Sequence, residues 1–196
     1  MVDVVVSRLF GSAAADWPRY WAVAWFCVVI AFGVNPQTAL SGETLLSDAE
    51  ARAALIYQFG RFTQWPKASI SQGFLICLAG EQGALARSLA TLEGKSVRGK
   101  PLKFRGVSRR DNAENCNILV IAEPPLLVAE WLRLVGNRPV LTISHGPGFV
   151  EAGGMIAFVT EGDRLRFDVN IDAIEQSMLS LNAQVISLAR NYRGRS

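Results

Sequence analysis

With 196 residues, half of them apolar and 19% charged, the chain has room for one ordinary domain behind a leader and can build a core. The formal net charge of +3 does not change when residues 1–41, which carry two Arg and two Asp, are removed. Basic residues gather only at Arg109-Arg110 and in the tail 190–195. That is not the clustered basic face of a nucleic-acid binder, so no nucleic-acid partner is expected.

Residues 21–34 form an uninterrupted apolar run, preceded by Arg8 and Arg19, with Glu43 as the next charge. The run falls short of the about 20 residues needed to cross the hydrocarbon core. It also lacks the polar face of a core helix. Ala39 and Ser41 stand at −3 and −1 of a cut before Gly42, a pattern that signal peptidase accepts. Residues 1–41 are therefore expected to be a cleavable signal peptide, with an uncleaved anchor as the alternative. Residues 42–196 are then a single periplasmic domain with no membrane span after leader removal. Asp3 and Asp16 lie in an unusually long segment before the run, which leaves the start codon open.

In the mature chain, Ser47-Asp48-Ala49-Glu50 reads as a capping box, and Leu55, Phe59 and Phe62 follow at helical spacing until Pro66. Phe74 to Leu78 is apolar on both faces, as a strand buried between helices must be. Gly80 and Gly83 mark a turn before a short helix, Ala84 to Leu92. Leu102 to Val107 alternates like a half-exposed edge strand. Cys116 to Ile121 is again apolar on both sides, Pro124-Pro125 open a helix to Val135, and Val140 to Ile143 makes a further strand. Beyond the glycine-rich segment 146–154, Met155 to Thr160 and Arg164 to Asn170 flank Glu161-Gly162-Asp163, a hairpin signal. From Asp172 onward, Ile174, Met178, Leu181, Val185 and Leu188 lie on one helical stripe and predict a single long final helix.

Strands alternating with helices imply an α/β three-layer sandwich. Its sheet is mostly parallel and flavodoxin-like, finished by a C-terminal antiparallel hairpin and helix. In the strand order 2-1-3-4-5, Cys77 and Cys116 fall on neighbouring strands. In an oxidising compartment they are expected to form a disulfide, the alternative being two buried free thiols.

Catalytic signatures are missing. His145 is the only histidine, and neither His-Glu-x-x-His nor Gly-x-Ser-x-Gly occurs. The adjacent pair Ser144-His145 has no evident orienting carboxylate. No catalytic residue, metal or cofactor is expected, and no enzyme. Five residues remain as candidates for partner or ligand binding. Trp65 ends the first helix as either core or anchor, with Phe62 beside it assigned to the core. Ser144 and His145 sit in a loop, and Arg166 and Asn170 project from the strand face opposite Phe167, where a small anion is one possible ligand.

Residues 53–66, ending in Phe62-Thr63-Gln64-Trp65-Pro66, resemble the opening helix of the YfiR family. Phe74 to Cys77 and Cys116 to Leu119 resemble its two cysteine-bearing strands. Pro147-Gly148-Phe149, Gly153-Gly154-Met155-Ile156 and Arg166 to Asn170 resemble its C-terminal signature. The resemblance runs in order from about Ala51 to Leu188. It implies a periplasmic, non-catalytic protein that binds and inhibits the periplasmic domain of a membrane diguanylate cyclase, or a related sensor kinase, and so restrains cyclic di-GMP signalling and biofilm growth. It also implies a possible homodimer. The family's second disulfide has no counterpart here, since the region from His145 to Ala152 holds no cysteine. The other reading is a periplasmic small-molecule-binding protein with its ligand at the C-terminal strand ends.

Overall fold

The computed structural model describes residues 47–80, 83–109, 111 and 113–194. The expected leader and its cleavage position lie outside them. Helix α1 spans Asp48–Phe62. Both halves of the capping box form: the Glu50 amide donates to Ser47 Oγ, and the Ser47 amide donates to the Glu50 carboxylate at 2.8 Å. These bonds hold the Glu50 carboxyl below its ordinary pKa, the Ser47 backbone N–H contributing most.

The helix is rotated from the expected stripe. Ala53, Ile56, Phe59 and Gly60 are buried, while Phe62, expected in the core, is 38% exposed. Gly60 explains the close seat: a Cβ there would stand 3.3 Å from the Phe74 ring. Phe59 meets Phe167 edge-on at 5.0 Å and Phe158 at 6.0 Å, fixing which way the helix faces.

A short strand, β1 (Thr63–Gln64), leads to a 3-10 turn at Lys67–Ile70. Then come β2 (Phe74–Gly80), α2 (Ala84–Ala90), β3 (Ser96–Val97) and β4 (Lys100–Val107). A second 3-10 turn, Ala113–Asn115, precedes β5 (Ile118–Ala122), α3 (Pro125–Val135) and β6 (Leu141–His145). The hairpin is β7 (Ile156–Glu161) and β8 (Arg164–Asn170), with Glu161 opposite Arg164. The main sheet has the order β10-β8-β7-β6-β5-β2-β4-β3, where β10 is the last described strand, Asn191–Arg193. Its parallel core β4-β2-β5-β6-β7 reproduces the flavodoxin-like order 2-1-3-4-5.

Two apolar clusters make the layers. One holds α1 and α2 against Ile76, Leu78, Ile118, Val120 and Ile143. The other holds Trp131 and Val135 of α3 against Cys77, Leu119 and Ile121. Strands β2 and β5 contribute alternate residues to both, as their two-sided apolar sequences require.

The single long final helix does not form. In its place stand α4 (Ile171–Gln176), β9 (Ser180–Leu181), α5 (Ala183–Ile186) and β10 (Asn191–Arg193). The break is a Schellman turn: the Leu179 amide donates to the Ile174 carbonyl and the Met178 amide to that of Glu175. Met178 holds the left-handed position, φ 58°, which glycine usually takes. Asn182 then caps α5 by accepting from the Gln184 amide at 2.8 Å, and β9 pairs with β1. The stripe misled because side-chain capping and ribbon pairing overrode an apolar spacing of alternately four and three residues.

The left-handed conformation costs a non-glycine residue roughly 1–2 kcal/mol, partly offset by the greater unfolded freedom of glycine. The Met178 side chain is 66% exposed, so its removal sacrifices little burial. Met178→Gly is therefore expected to raise stability by about 0.5–1 kcal/mol. Urea denaturation measures this, and a fall in the midpoint would contradict the assignment.

Candidate functional site

Parallel strands are ordinarily joined by a crossover containing a helix. Among its described residues, the crossover from β4 to β5, residues 108–117, holds just the 3-10 turn Ala113–Asn115. Its sequence is polar and offers no apolar stripe to lay on the sheet. At its start, Ser108 donates from its amide (2.7 Å) and its hydroxyl (2.8 Å) to the Asp111 carboxylate. The backbone bond, then the hydroxyl bond, lower the Asp111 pKa, with a smaller attraction from Arg105.

Two interactions tie the other end of this crossover to the sheet. Cys116 is joined to Cys77 by a disulfide, Cα atoms 5.8 Å apart. Both cysteines are almost fully buried. Asn117, also buried, accepts from the Leu75 amide and donates to the Ser69 carbonyl, each at 2.8 Å. One side chain thus fixes the loop before β2 to the starts of β2 and β5. Sequence reading passed over Asn117, although an amide opening an otherwise apolar strand has to find partners.

With no described helix over β2 and β4 on this face, a cleft of about 450 Å³ remains among the described residues at the N-terminal ends of β2, β5 and β6. Leu75 and Cys116 line its base, Ser69 and Val140 its sides, and Lys103 and Arg105 of β4 its outer wall. Leu102 and Phe104, which alternate with these two cations, pack into the core on the opposite face.

The five candidate residues do not converge. Trp65 is 7% exposed and packs edge-on against Phe74 at 5.1 Å. Ser144 is buried and donates to the Ile121 carbonyl at 2.7 Å. Asn170 is buried too, donating to the Val150 carbonyl and capping α4 through the Ala173 amide, both at 3.0 Å. His145 and Arg166 are exposed, but His145 pairs with Phe158 while Arg166 pairs with Val159, one residue further along β7. Successive residues face opposite ways, so these two side chains leave opposite faces of the sheet.

At the C-terminal strand ends, Gly80 (φ 100°) presses on β5: a Cβ there would lie 2.2 Å from the Ala122 carbonyl oxygen. The backbones leave no room there for a methyl group.

A charge cluster that sequence reading missed sits on the far edge. Arg190 donates from Nε to Asp168 at 2.9 Å and from Nη1 to Glu161 at 3.2 Å. Asp168, then Glu161, hold the guanidinium pKa above its ordinary value. The Arg190 amide also donates to the Phe167 carbonyl, which docks β10 beside β8. Among the described residues, no group of three or more His, Cys, Asp or Glu is placed to hold a metal. Nor is any described helix long and apolar enough to cross a membrane.

A model of the YfiR/HmsC-like family matches residues 49–190. The chain belongs to that family. A solved structure, a conserved domain protein from Vibrio cholerae, shares the fold with a TM-score of 0.50 at 13% identity, over 76% of this chain. The chain spans 61% of that protein's length.

Several residues of the YfiR-like signature have packing roles here. Phe149 is buried against Gly154, where any Cβ would stand 2.2 Å from its ring. The Met155 amide donates to Thr142 Oγ1 at 3.2 Å. These contacts and the Asn170 bond to Val150 close the 146–154 segment over the same face as α3.

The bridge spans a sequence separation of 39 residues. Replacing both cysteines by alanine is expected to cost about 4 kcal/mol in the chain-entropy account. Asn117→Ala strands a buried amide and a carbonyl and is expected to cost about 2 kcal/mol. Equilibrium denaturation of the oxidised protein measures both, and a neutral Asn117→Ala would show that the two bonds do not hold the loop.

Proposed function

We propose that this protein is a periplasmic regulator that binds the periplasmic sensor domain of an inner-membrane diguanylate cyclase and inhibits it, lowering cyclic di-GMP signalling. The carrying observation is the YfiR/HmsC-like match, which extends from the first helix to Arg190, just before the last described strand. The disulfide between two buried cysteines agrees with an oxidising compartment. A binding role suits the scattered, internally bonded polar residues better than a catalytic one does, since Ser144 and Asn170 already serve backbone groups. Exposed Phe62, Met178 and Leu188 provide apolar surface on segments flanking the β1–β9 ribbon.

In this reading residues 1–41 export the chain and are removed, and residues 42–196 act as one domain. The interaction restrains the cyclase by contact alone, and a homodimer is the form proposed to engage it. His145 and Arg166 are the two candidate residues whose side chains are free to meet a partner.

Deleting the gene is expected to raise cellular cyclic di-GMP, and the wild-type gene supplied in trans should restore it. A second strain, with export blocked by removal of residues 1–41, should behave like the deletion. Unchanged cyclic di-GMP in the deletion strain, across growth in attached and free-living culture, would sink the proposal.

A further inference from the structure

We infer that the helix-less cleft on the β2–β4 side of the sheet is a binding site for a small organic anion. The anionic head would sit against Lys103 and Arg105, and an apolar body on Leu75 and the edge of Cys116. This site is at the opposite end of the strands from the usual ligand crevice of such sheets. It does not depend on the regulatory role proposed above.

Register places the two cations. Lys103 lies beside Leu75, and Arg105 beside Cys77, so cations and apolar floor share one face of the sheet. Both cationic side chains are exposed, and of the described residues that line the cleft none is acidic. Lys100 donates to the carbonyl of Ser71, one of the lining residues, at 3.2 Å. Asp111 attracts Arg105, but its carboxylate already accepts two bonds from Ser108. Unanswered like charge in a concave wall raises the local positive potential and concentrates anions.

Cations on edge strands also serve to block sheet-to-sheet pairing. Here that task is met by other groups. The outer edge of β4 is closed by bonds between Leu102 and Lys95, by the Gly94 amide on Leu102, and by Glu93, which accepts from the Phe104 amide at 3.1 Å. The cavity, about 450 Å³, falls within the size range of small-molecule sites, roughly 300–1,000 Å³. The disulfide and Asn117 hold its walls without a ligand, so little ordering cost attends binding.

The test uses the mature, oxidised protein and four probes, followed by titration calorimetry and by backbone NMR shifts. Inorganic phosphate supplies the head alone, and phenol the body alone. Phenyl phosphate and benzoate combine the two with different heads. The expected result is that phenyl phosphate or benzoate binds at least tenfold tighter than phenol, with shifts at Leu75, Lys103 and Cys116, and that added salt weakens it. Which of the two binds tighter identifies the head as phosphate or carboxylate. The double variant Lys103→Ser/Arg105→Ser, exposed and expected to fold normally, should lose at least tenfold in affinity. Arg61→Ser/Arg87→Ser, an equal loss of charge at exposed positions on α1 and α2 that do not line the cleft, should bind like wild type. The inference is overturned if both anions bind no tighter than phenol, or if the two double variants lose affinity equally.

Discussion

The architecture depends on two strands that are apolar on both faces. Strands β2 and β5 cannot leave either side in water, so each needs a covering layer above and below. On one side α1, α2 and the C-terminal elements supply it in full. On the other, among the described residues, α3 and the 146–154 segment cover the β5–β6 half. The polar crossover 108–117 cannot complete the layer, because it has too few apolar residues to rest on the sheet. The disulfide answers this shortfall: it fixes the crossover covalently where burial alone would not, and it places Cys116 over Cys77 at the margin of the uncovered surface. The cleft is what remains of the missing helix.

Strand type and order were legible from the sequence because apolar runs, glycines and the hairpin turn all agreed. The bridge was legible for the same reason, since the order 2-1-3-4-5 makes the cysteine strands neighbours. The orientation of α1 was not. Leu55, Phe59 and Phe62 made a plausible stripe, but Gly60 lets the backbone settle on Phe74 and turns the stripe toward Ala53, Ile56 and Phe59. The C-terminal break escaped because its left-handed residue is Met178, a type that gives no local warning. The cleft escaped because it arises from something absent between β4 and β5, and periodicity reads only what is present.

Polar residues that looked available from sequence proved to be committed to the fold. Asn170 joins the 146–154 segment to the start of α4, and Ser144 satisfies a strand carbonyl. In a chain with this much buried backbone, an amide or hydroxyl near a turn is more valuable as an internal partner than as a displayed group. This explains how a family signature can be specific without marking a reactive site. Phe149, Gly154 and Asn170 are constrained by how closely one loop must pack on the sheet.

The same reasoning separates the cationic groups of the surface. Arg109 meets Glu130 at 2.7 Å, Arg52 meets Asp48 at 3.0 Å, and Arg190 is held by Asp168 and Glu161. In each case an acid of the same chain answers the charge; the Arg109 and Arg190 pairs also join separate segments, while Arg52–Asp48 lies within α1. Exposed pairs of this kind contribute little energy, but they leave no unsatisfied potential for a ligand to exploit. Lys103 and Arg105 differ in where they stand. They line a concavity with an apolar floor, the lining contributes no acid, and their strand edge is already closed by the 93–97 segment. Charge held in that position does not strengthen the fold, which is the physical ground for assigning it to something the fold binds.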